Sequence, residues 1–254
     1  MKIGLLVIAT QNYVTLAAEL NISAKRYFMA NTGHEVTIFL FTDQNPDFDG
    51  VVYLPIKHAP WPEVTLKRYH VFDRYRDHLS PMDYLFYCDS DMKFVSSVGD
   101  EILHDLVAVQ HPAFYNKPSG TYPFENRRES AAYVRPEDRK MYACGGFNGG
   151  KTDRFLDMAS EIRKNVDRDL RRFICAHWHD ESHLNWYLAG NPPTLVLPPA
   201  YCFPEDSNLP FDPKILALNK DHAQFRKRSW NLFWLVVKLR RRITLLFRKI
   251  ARHT

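Results

Sequence analysis

Two aspartates stand one residue apart directly after an apolar run. Asp89 and Asp91 follow Tyr84–Cys88, which has the composition of a buried strand. Carboxylate oxygens suit a hard cation such as Mn²⁺ or Mg²⁺, and such a cation can bridge phosphates. Open α/β sheets bind ligands outside the carboxyl ends of their strands. The pattern therefore favours a metal-assisted diphosphate site, with a solvated Asp-Ser-Asp turn as the alternative.

A second polar cluster reads Trp178-His179-Asp180-Glu181-Ser182-His183. An indole face stacks on a sugar ring and carboxylates accept hydroxyl hydrogen bonds, so Trp178 with Asp180 and Glu181 favours a carbohydrate subsite. Two alternatives remain open. His179 and His183 share one helical face and suggest zinc, although the HExxH order and a third ligand are missing. Asp180 is also a suitable helix N-cap.

A third stretch, Gly145-Gly146-Phe147-Asn148-Gly149-Gly150, holds four glycines in six residues. Glycine permits close approach of the backbone to a ligand. A tight connection before a helix beginning at Lys151 explains the same composition. The motif by itself does not choose between the two.

These residues need a scaffold, and the flanking patterns supply one. Lys2–Ala9 and Glu35–Thr42 are β-branched apolar runs, separated by helical spacing over Val14–Ala30 that ends near Gly33. This βαβ unit implies a parallel arrangement in an α/β sheet. Further strands are predicted at Val51–Ile56, Tyr84–Cys88, Leu106–His111 and Thr194–Leu197, and further helices at Glu63–Leu79, Lys151–Arg172 and Glu181–Leu188, with a short one near Asp100–His104.

The charge of the chain is unevenly distributed. The net charge is +5, yet residues 226–254 hold ten Lys/Arg and no Asp/Glu, which leaves 24 basic against 29 acidic groups before them. We therefore predict a domain over residues 1–225 and a basic amphipathic helical tail over residues 226–254. A tail rich in aromatic and basic residues favours an anionic membrane surface. A helix packed on the body and a nucleic-acid site are the alternatives, and the body offers no basic groove for nucleic acid.

Composition excludes other classes of protein. With 45% hydrophobic and 25% charged residues the chain is globular rather than disordered. The four cysteines are widely spaced and predict reduced thiols. The first residues suit a buried strand better than a secretion signal, and no apolar run is long enough to cross a bilayer. We expect a cytoplasmic protein, peripheral on the inner face of the cell membrane.

Taken together, these motifs resemble glycosyltransferase family 6 in its bacterial form. The resemblance runs from about Ile8 to Arg226. Its matching stretches are Tyr13-Val14, Phe41-Thr42-Asp43-Gln44, Asp89-Ser90-Asp91-Met92, His111-Pro112-Ala113-Phe114-Tyr115, Gly145-Gly146-Phe147, Trp178-His179-Asp180-Glu181-Ser182-His183-Leu184-Asn185 and Lys220-Asp221-His222. It implies the GT-A fold, a single Rossmann-like mixed sheet flanked by helices.

The resemblance also implies roles for residues. Mn²⁺, or Mg²⁺ in its place, would be held by Asp89 and Asp91, and Glu181 would be the catalytic carboxylate. The implied acceptor-binding residues are His111, Trp178 and Glu181. The implied donor- and nucleotide-binding residues are Ile8, Ala9, Thr10, Tyr13, Val64, Arg68, Asp89, Ser90, Asp91, Cys144, Gly145, Gly146, Asp180, Lys220 and Arg226, with His222 on a family histidine.

The implied function is a retaining α1,3-glycosyltransferase. It would move N-acetylgalactosamine or galactose from a UDP-sugar to a galactose-terminated or lipid-linked glycan in surface polysaccharide synthesis. Glycine at 146 leaves room for an N-acetyl group, which favours UDP-N-acetylgalactosamine. Pro204 departs from an acceptor-binding aspartate of the blood-group enzymes, which puts fucose recognition in doubt. A non-catalytic glycan-binding module is the alternative, and no nucleic-acid partner is expected.

Overall fold

A seven-stranded mixed sheet forms the centre of the protein in this computed structural model, which describes residues 1–221 and 232–240. Its strand order is β3-β2-β1-β4-β7-β6-β8, with β7 antiparallel to both neighbours and all other pairs parallel. The strands are β1 Lys2–Ile8, β2 Glu35–Thr42, β3 Val51–Pro55, β4 Tyr84–Cys88, β5 Met92–Phe94, β6 Leu106–Gln110, β7 Ala143–Lys151, β8 Leu195–Leu197, β9 Phe203–Pro204 and β10 Ile215–Ala217. The predicted mixed α/β sheet is confirmed.

The glycine-rich stretch lies within β7, inside the sheet, and not in a connection before a helix. A Cβ on Gly149 would lie 2.3 Å from the Phe86 ring and 2.4 Å from the Leu85 carbonyl oxygen. At Gly150, φ is +146° and a Cβ would lie 2.3 Å from the Asp105 carbonyl oxygen. Close approach to neighbouring strands therefore explains these two glycines, and the interpretation as a connection was wrong.

Helices cover both faces of the sheet, and the predicted helix Glu63–Leu79 is three short ones. Lys67 and Tyr75 have φ/ψ of −99°/16° and −97°/19°, outside helical geometry, and divide it. Tyr69 and Phe72, between the two breaks, both lie in the core. The helices are α1 Tyr13–Tyr27, α2 Glu63–Leu66, α3 Arg68–Arg74, α4 Arg76–Leu79, α5 Thr152–Arg171 and α6 His179–Gly190.

A small second sheet crosses the carboxyl end of the large one. It orders β5-β10-β9, and no pattern in the sequence predicted it, because each strand has only two or three residues. β5 begins at Met92, directly after the two aspartates. Pairing of Ala217 with Met92 brings the segment leading to Lys220 next to that pair. The small sheet therefore brings the distant C-terminal segment to the predicted site.

Residues 232–240 of the basic tail are helical and one face packs on the body. Trp234 and Val237 are buried in the core shared with α3 and α5, while Leu232, Leu235 and Leu239 are 75%, 58% and 57% exposed. The alternative of a helix packed on the body is therefore confirmed for one face of residues 232–240. Across the described part of the chain, no helix has the length and apolarity to span a membrane. The predicted site residue Arg226, the family histidine His222 and most of the tail lie outside the described residues.

Candidate active site

The carboxyl ends of β1 and β4 open into a first cavity. Eleven residues line it: Ile8, Thr10, Tyr13, Val64, Thr65, Arg68, Tyr87, Asp89, Ser90, Asp91 and Lys220. Nine of these were predicted to bind the donor or its nucleotide. Ala9, also predicted, is 1% exposed and packs in the core behind the cavity.

Arg68 lies between this cavity and a second one and lines both. Its Nη1 donates to the Gly145 carbonyl oxygen at 2.7 Å and its Nη2 to Asp89 Oδ1 at 3.0 Å. Its Nε lies 3.0 Å from Asp180 Oδ2, at ion-pair distance though not aligned as a hydrogen bond. The guanidinium stacks 4.4 Å from the centre of the Tyr87 ring. One buried cation thus holds carboxylates from β4 and α6 together.

Burial raises the pKa of both carboxylates that face Arg68. The pKa of Asp180 rises to about 6, because desolvation outweighs the attraction of Arg68 and Asp89 adds repulsion. Desolvation also raises the pKa of Asp89, again against Arg68. Asp91 pairs instead with the Lys220 ammonium, which lies 5.0 Å from the centre of the Tyr13 ring. The site therefore concentrates three carboxylates and two cations where a charged ligand can replace their mutual contacts.

The second cavity has a volume of about 350 Å³ and continues from the first past Arg68. Glu181, on the first turn of α6, is held at both of its oxygens. Tyr142 donates its hydroxyl to Oε1 at 3.0 Å, and the Gly145 amide donates to Oε2 at 2.9 Å. Desolvation raises the pKa of Glu181 to about 7, although the Gly145 hydrogen bond lowers it. The Glu181 carboxylate is therefore held in place and enclosed, and its pKa lies near neutral pH.

His111 and Trp178 lie at the outer side of the second cavity. His111 Nε2 is 4.0 Å from Glu181 Oε1, and its Nδ1 accepts the Ala113 amide at 3.1 Å. Burial lowers the pKa of His111 to about 4, so the imidazole is neutral at pH 7. Trp178 is 47% exposed, which leaves much of its indole open to a ligand. The predicted acceptor residues are therefore brought together around Glu181.

The zinc and N-cap alternatives for this cluster fail on geometry. His183 is fully buried and its Nδ1 lies 3.2 Å from Asn165 Nδ2, whereas His179 lines the cavity. The N-cap of α6 is Trp178, and Asp180 faces Arg68 instead. Two histidines on one helical face do not guarantee a shared ligand when one of them points into the core.

Sulfur atoms bound the second cavity beside Gly146. A Cβ placed on Gly146 would lie 3.1 Å from Met92 Sδ, 3.2 Å from Cys202 Sγ and 3.4 Å from Asp89 Oδ2. Cys144, two residues before Gly146, also lines the cavity. A hydrogen bond that the Cys202 thiol donates to Cys144, together with burial, raises the pKa of Cys202. These side chains limit the room next to Gly146.

The donor set at the strand end fits a hard divalent cation. Asp89 and Asp91 line both cavities, and each already contacts a positive group, Arg68 or Lys220. Within residues 1–221 and 232–240, no three His, Cys, Asp or Glu side chains gather closely enough to hold a metal alone. A cation here would need further oxygen ligands, as Mg²⁺ and Mn²⁺ take from phosphates and water.

Several residues of the site were not predicted from the sequence. Trp61 and Cys202 line the second cavity outside the longer helices and strands, and Tyr142, which holds Glu181 from just before β7, belongs to no recognisable motif. Only the folded structure, which brings these three residues together, identifies them as part of the site. Across the two cavities, all predicted donor and acceptor residues within the described chain line the site except Ala9.

Comparison with known proteins agrees with this geometry. The chain is 33% identical over 241 residues to the rat histo-blood group ABO system transferase 1, covering 88% of this chain and 68% of the relative. It is 32% identical to the human globoside α-1,3-N-acetylgalactosaminyltransferase 1, covering 89% and 69%. It is 28% identical to the Escherichia coli O-antigen biosynthesis glycosyltransferase WbnI, covering 91% and 97%. The family model for glycosyltransferase family 6 matches residues 1–227, and the chain belongs to that family.

Proposed function

We propose that this chain is a retaining α1,3-glycosyltransferase that moves galactose or N-acetylgalactosamine from a UDP-sugar to a galactose-terminated glycan in surface polysaccharide synthesis. The observation that carries the proposal is the position of Arg68, which lines both the cavity at the carboxyl ends of β1 and β4 and the adjoining cavity around Glu181. A diphosphate beside Arg68 and Lys220 would place its sugar in the second cavity. Guanidinium and ammonium groups both suit phosphate oxygens.

The donor cavity supplies groups of the right kind for each part of a UDP-sugar. Ile8 and Val64 give apolar contacts for the uracil ring, and Tyr13 gives an aromatic one. Thr10 lines the same cavity, and its hydroxyl lies 2.9 Å from His58 Nδ1. Asp180, held by Arg68, accepts hydroxyl hydrogen bonds from the transferred sugar. A bound diphosphate would give the Lys220 ammonium a second anionic partner besides Asp91.

Glu181 is the proposed catalytic residue. Both of its oxygens already accept hydrogen bonds, which favours electrostatic stabilisation of the positive charge developing on the sugar over direct nucleophilic attack. The neutral His111 and the exposed indole of Trp178 orient the acceptor beside it. In this arrangement the acceptor hydroxyl approaches from the face of the sugar on which the diphosphate leaves.

Metal dependence belongs to the same proposal. Asp89 and Asp91 would hold Mn²⁺, or Mg²⁺, against the donor diphosphate. When bound, the cation acts as a Lewis acid that neutralises charge on the leaving diphosphate. The residues of this chain meanwhile fix the two carboxylates: Arg68 and the Tyr87 hydroxyl donate to Asp89 Oδ1, and Lys220 pairs with Asp91.

The choice of donor depends on the room beside Gly146. Gly146 lines the second cavity, and a side chain there would narrow it, since even a Cβ would lie 3.1 Å from Met92 Sδ and 3.2 Å from Cys202 Sγ; glycine keeps this space open. We propose that this space takes the N-acetyl group of UDP-N-acetylgalactosamine. An unmet buried amide costs about 1–3 kcal/mol, so the proposal requires a polar partner for that group. Asp89 Oδ2 is the one oxygen among the three atoms nearest to a Cβ at Gly146.

A UDP-release assay across UDP-sugars tests the function. We expect release with UDP-N-acetylgalactosamine or UDP-galactose, increased by a β-galactoside acceptor such as lactose and abolished by chelation of divalent metal. The wild type is compared with Asp91→Asn and with Asp49→Asn, an exposed aspartate paired with Lys25 away from the site. UDP binding without turnover of any donor would favour a glycan- or nucleotide-binding module instead.

The domain division and the membrane partner are also proposals. We propose that residues 1–225 form the transferase and that residues 226–254 place it on an anionic lipid surface at the inner face of the membrane. The stripe formed by Leu232, Leu235 and Leu239 faces away from the body, although Trp234 of the same helix packs into it. Ten basic residues and no acidic ones in the tail are complementary to anionic headgroups.

Substitution separates membrane binding from folding better than truncation, because deletion would remove the buried Trp234. Replacing Leu232, Leu235 and Leu239 together by glutamate should weaken binding to phosphatidylglycerol vesicles by at least about tenfold, since burying one leucine is worth about 1.5–3 kcal/mol. Ile22→Glu, at a residue 70% exposed on α1, is the matched control. Equal vesicle binding by all three proteins would contradict the membrane proposal.

A further inference from the structure

The turn that carries Trp178 is held in an unusual backbone conformation. It connects α5 to α6 without regular secondary structure, and both of its ends have positive φ, +53° at Phe173 and +51° at His179. Left-handed backbone is uncommon for bulky side chains and persists where surrounding groups impose it. The placement of Trp178 and of the first turn of α6 therefore depends on contacts from outside the turn.

An ion pair in the long loop between β6 and β7 supplies such contacts. Glu125 Oε2 accepts the His177 amide at 2.9 Å, and Arg127 Nη2 donates to the Cys175 carbonyl oxygen at 2.7 Å. Arg127 Nε also donates to Glu125 Oε1 at 2.8 Å. Two backbone groups of the turn are thus fixed by side chains about 50 residues earlier in the chain.

The Glu125–Arg127 pair is enclosed and charged. The Glu125 side chain is 2% exposed and the Arg127 side chain 17%. Burial by itself would raise the pKa of Glu125. Hydrogen bonds from Arg127 and from the His177 amide lower it by more, so the pKa of Glu125 is below its ordinary value. A buried carboxylate that stays ionised needs its partners in one geometry, which makes the pair a rigid contact.

The loop that presents this pair is itself fixed to α5. Asp169 accepts both the Ser130 hydroxyl and the Ala131 amide at 2.6 Å. Asn165 donates to the Ala131 carbonyl oxygen at 2.8 Å and contacts His183 on α6. Hydrogen bonds therefore join the loop to α5 and to the turn, and Asn165 joins α5 to α6. Displacement of the Glu125–Arg127 pair would move the turn and, with it, Trp178 on the acceptor side.

We propose that Glu125 and Arg127 are positioning residues for the acceptor, holding the turn so that Trp178 faces the acceptor. Glu181 keeps its own hydrogen bonds from Tyr142 and the Gly145 amide. This inference rests on the proposed transferase function. Neither residue lines the nucleotide cavity. Loss of the pair should consequently impair acceptor binding while leaving UDP binding and donor hydrolysis in place.

Kinetics of Glu125→Gln and Arg127→Lys test the proposal with lactose as the acceptor probe. We expect the KM for lactose to rise between about tenfold and 100-fold in Glu125→Gln, since small misplacements of binding groups have effects of that size. Arg127→Lys keeps the charge but lacks the guanidinium fork, so it should show a smaller rise. UDP affinity and the rate of donor hydrolysis should stay within about twofold of wild type. Arg163→Gln, which breaks the 2.7 Å ion pair with Asp73 between α3 and α5, is the control and should leave all three quantities unchanged.

Hydrogen–deuterium exchange gives a readout that does not require turnover. Exchange over residues 174–182 should be faster in Glu125→Gln than in wild type and unchanged in Arg163→Gln. If Glu125→Gln does not fold, Arg127→Lys takes its place in both experiments. An unchanged lactose KM, or transfer and donor hydrolysis falling in parallel, would overturn the positioning role. If the wild type turns over no donor, the proposed function fails, and unaltered exchange in the variants would separately refute the contact.

Discussion

Replacing Arg68 by glutamine should destabilise the protein in a pH-dependent way. The variant leaves Asp180, whose side chain is 4% exposed, without its cation, and removes a donor from the Gly145 carbonyl oxygen. Removal of one partner from a buried ion pair costs about 3–5 kcal/mol. Asp89 is 32% exposed and contributes less, because water screens it. We therefore expect a loss of about 3–5 kcal/mol in the free energy of unfolding at pH 8.

The loss in the free energy of unfolding caused by Arg68→Gln should be smaller at acidic pH. The folded pKa of Asp180 is already raised to about 6 from an ordinary 3.8, so wild-type stability from this group falls as pH rises from about 4 to 6 and then levels. Without Arg68 the folded pKa is higher still, and the fall continues above pH 6 at up to about 1.4 kcal/mol per pH unit. The difference between variant and wild type at pH 5 should thus be smaller than at pH 8.

Urea unfolding of both proteins at pH 5 and pH 8 measures this directly. Arg163→Gln, which breaks a more exposed pair with Asp73, should cost less than about 1 kcal/mol at either pH. A variant as stable as wild type at pH 8, or a difference independent of pH, would refute the assignment of Arg68 as the cation that keeps Asp180 ionised.

Three further predictions concern activity. Asp91→Asn should lower kcat/KM by about 100-fold through weaker metal and diphosphate binding, measured by UDP release, and wild-type turnover that survives complete chelation would contradict metal dependence. The kcat/KM of the wild type should rise about tenfold per pH unit below pH 7 and level off above it, because Glu181 acts in its ionised form and its pKa is about 7. A flat profile of kcat/KM from pH 5 to 8 would exclude this role for Glu181. Gly146→Ala should shift the ratio of kcat/KM values toward UDP-galactose by roughly tenfold, because its Cβ meets Met92 and Cys202 at 3.1 and 3.2 Å, and an unchanged ratio would place the N-acetyl group elsewhere.

Strong local patterns were predictable from the sequence. β2 Glu35–Thr42 and β4 Tyr84–Cys88 match the predicted strands residue for residue, because successive residues over most of each strand are buried, which gives an apolar run. The Asp-Ser-Asp motif after β4 lies in the predicted position for the same reason. A buried strand fixes the place where the chain emerges, and with it the residues that follow.

Features set by tertiary contacts were not predictable. The glycines of β7 allow close approach of Phe86 and of the Asp105 carbonyl oxygen, and a composition typical of loops concealed a central strand. Apolar spacing over Glu63–Leu79 does not reveal the breaks at Lys67 and Tyr75. Glu125 stands in a polar stretch, and only its burial against Arg127 and the turn before α6 distinguishes it.

The anomeric configuration of the product tests the central claim most directly. Wild-type enzyme, UDP-galactose or UDP-N-acetylgalactosamine, Mn²⁺ and lactose are combined, and the new glycosidic linkage is read by proton NMR. The proposed function predicts an α1,3-linked product from an α-linked donor. A β-linked product, or no transfer from either donor, would contradict the account.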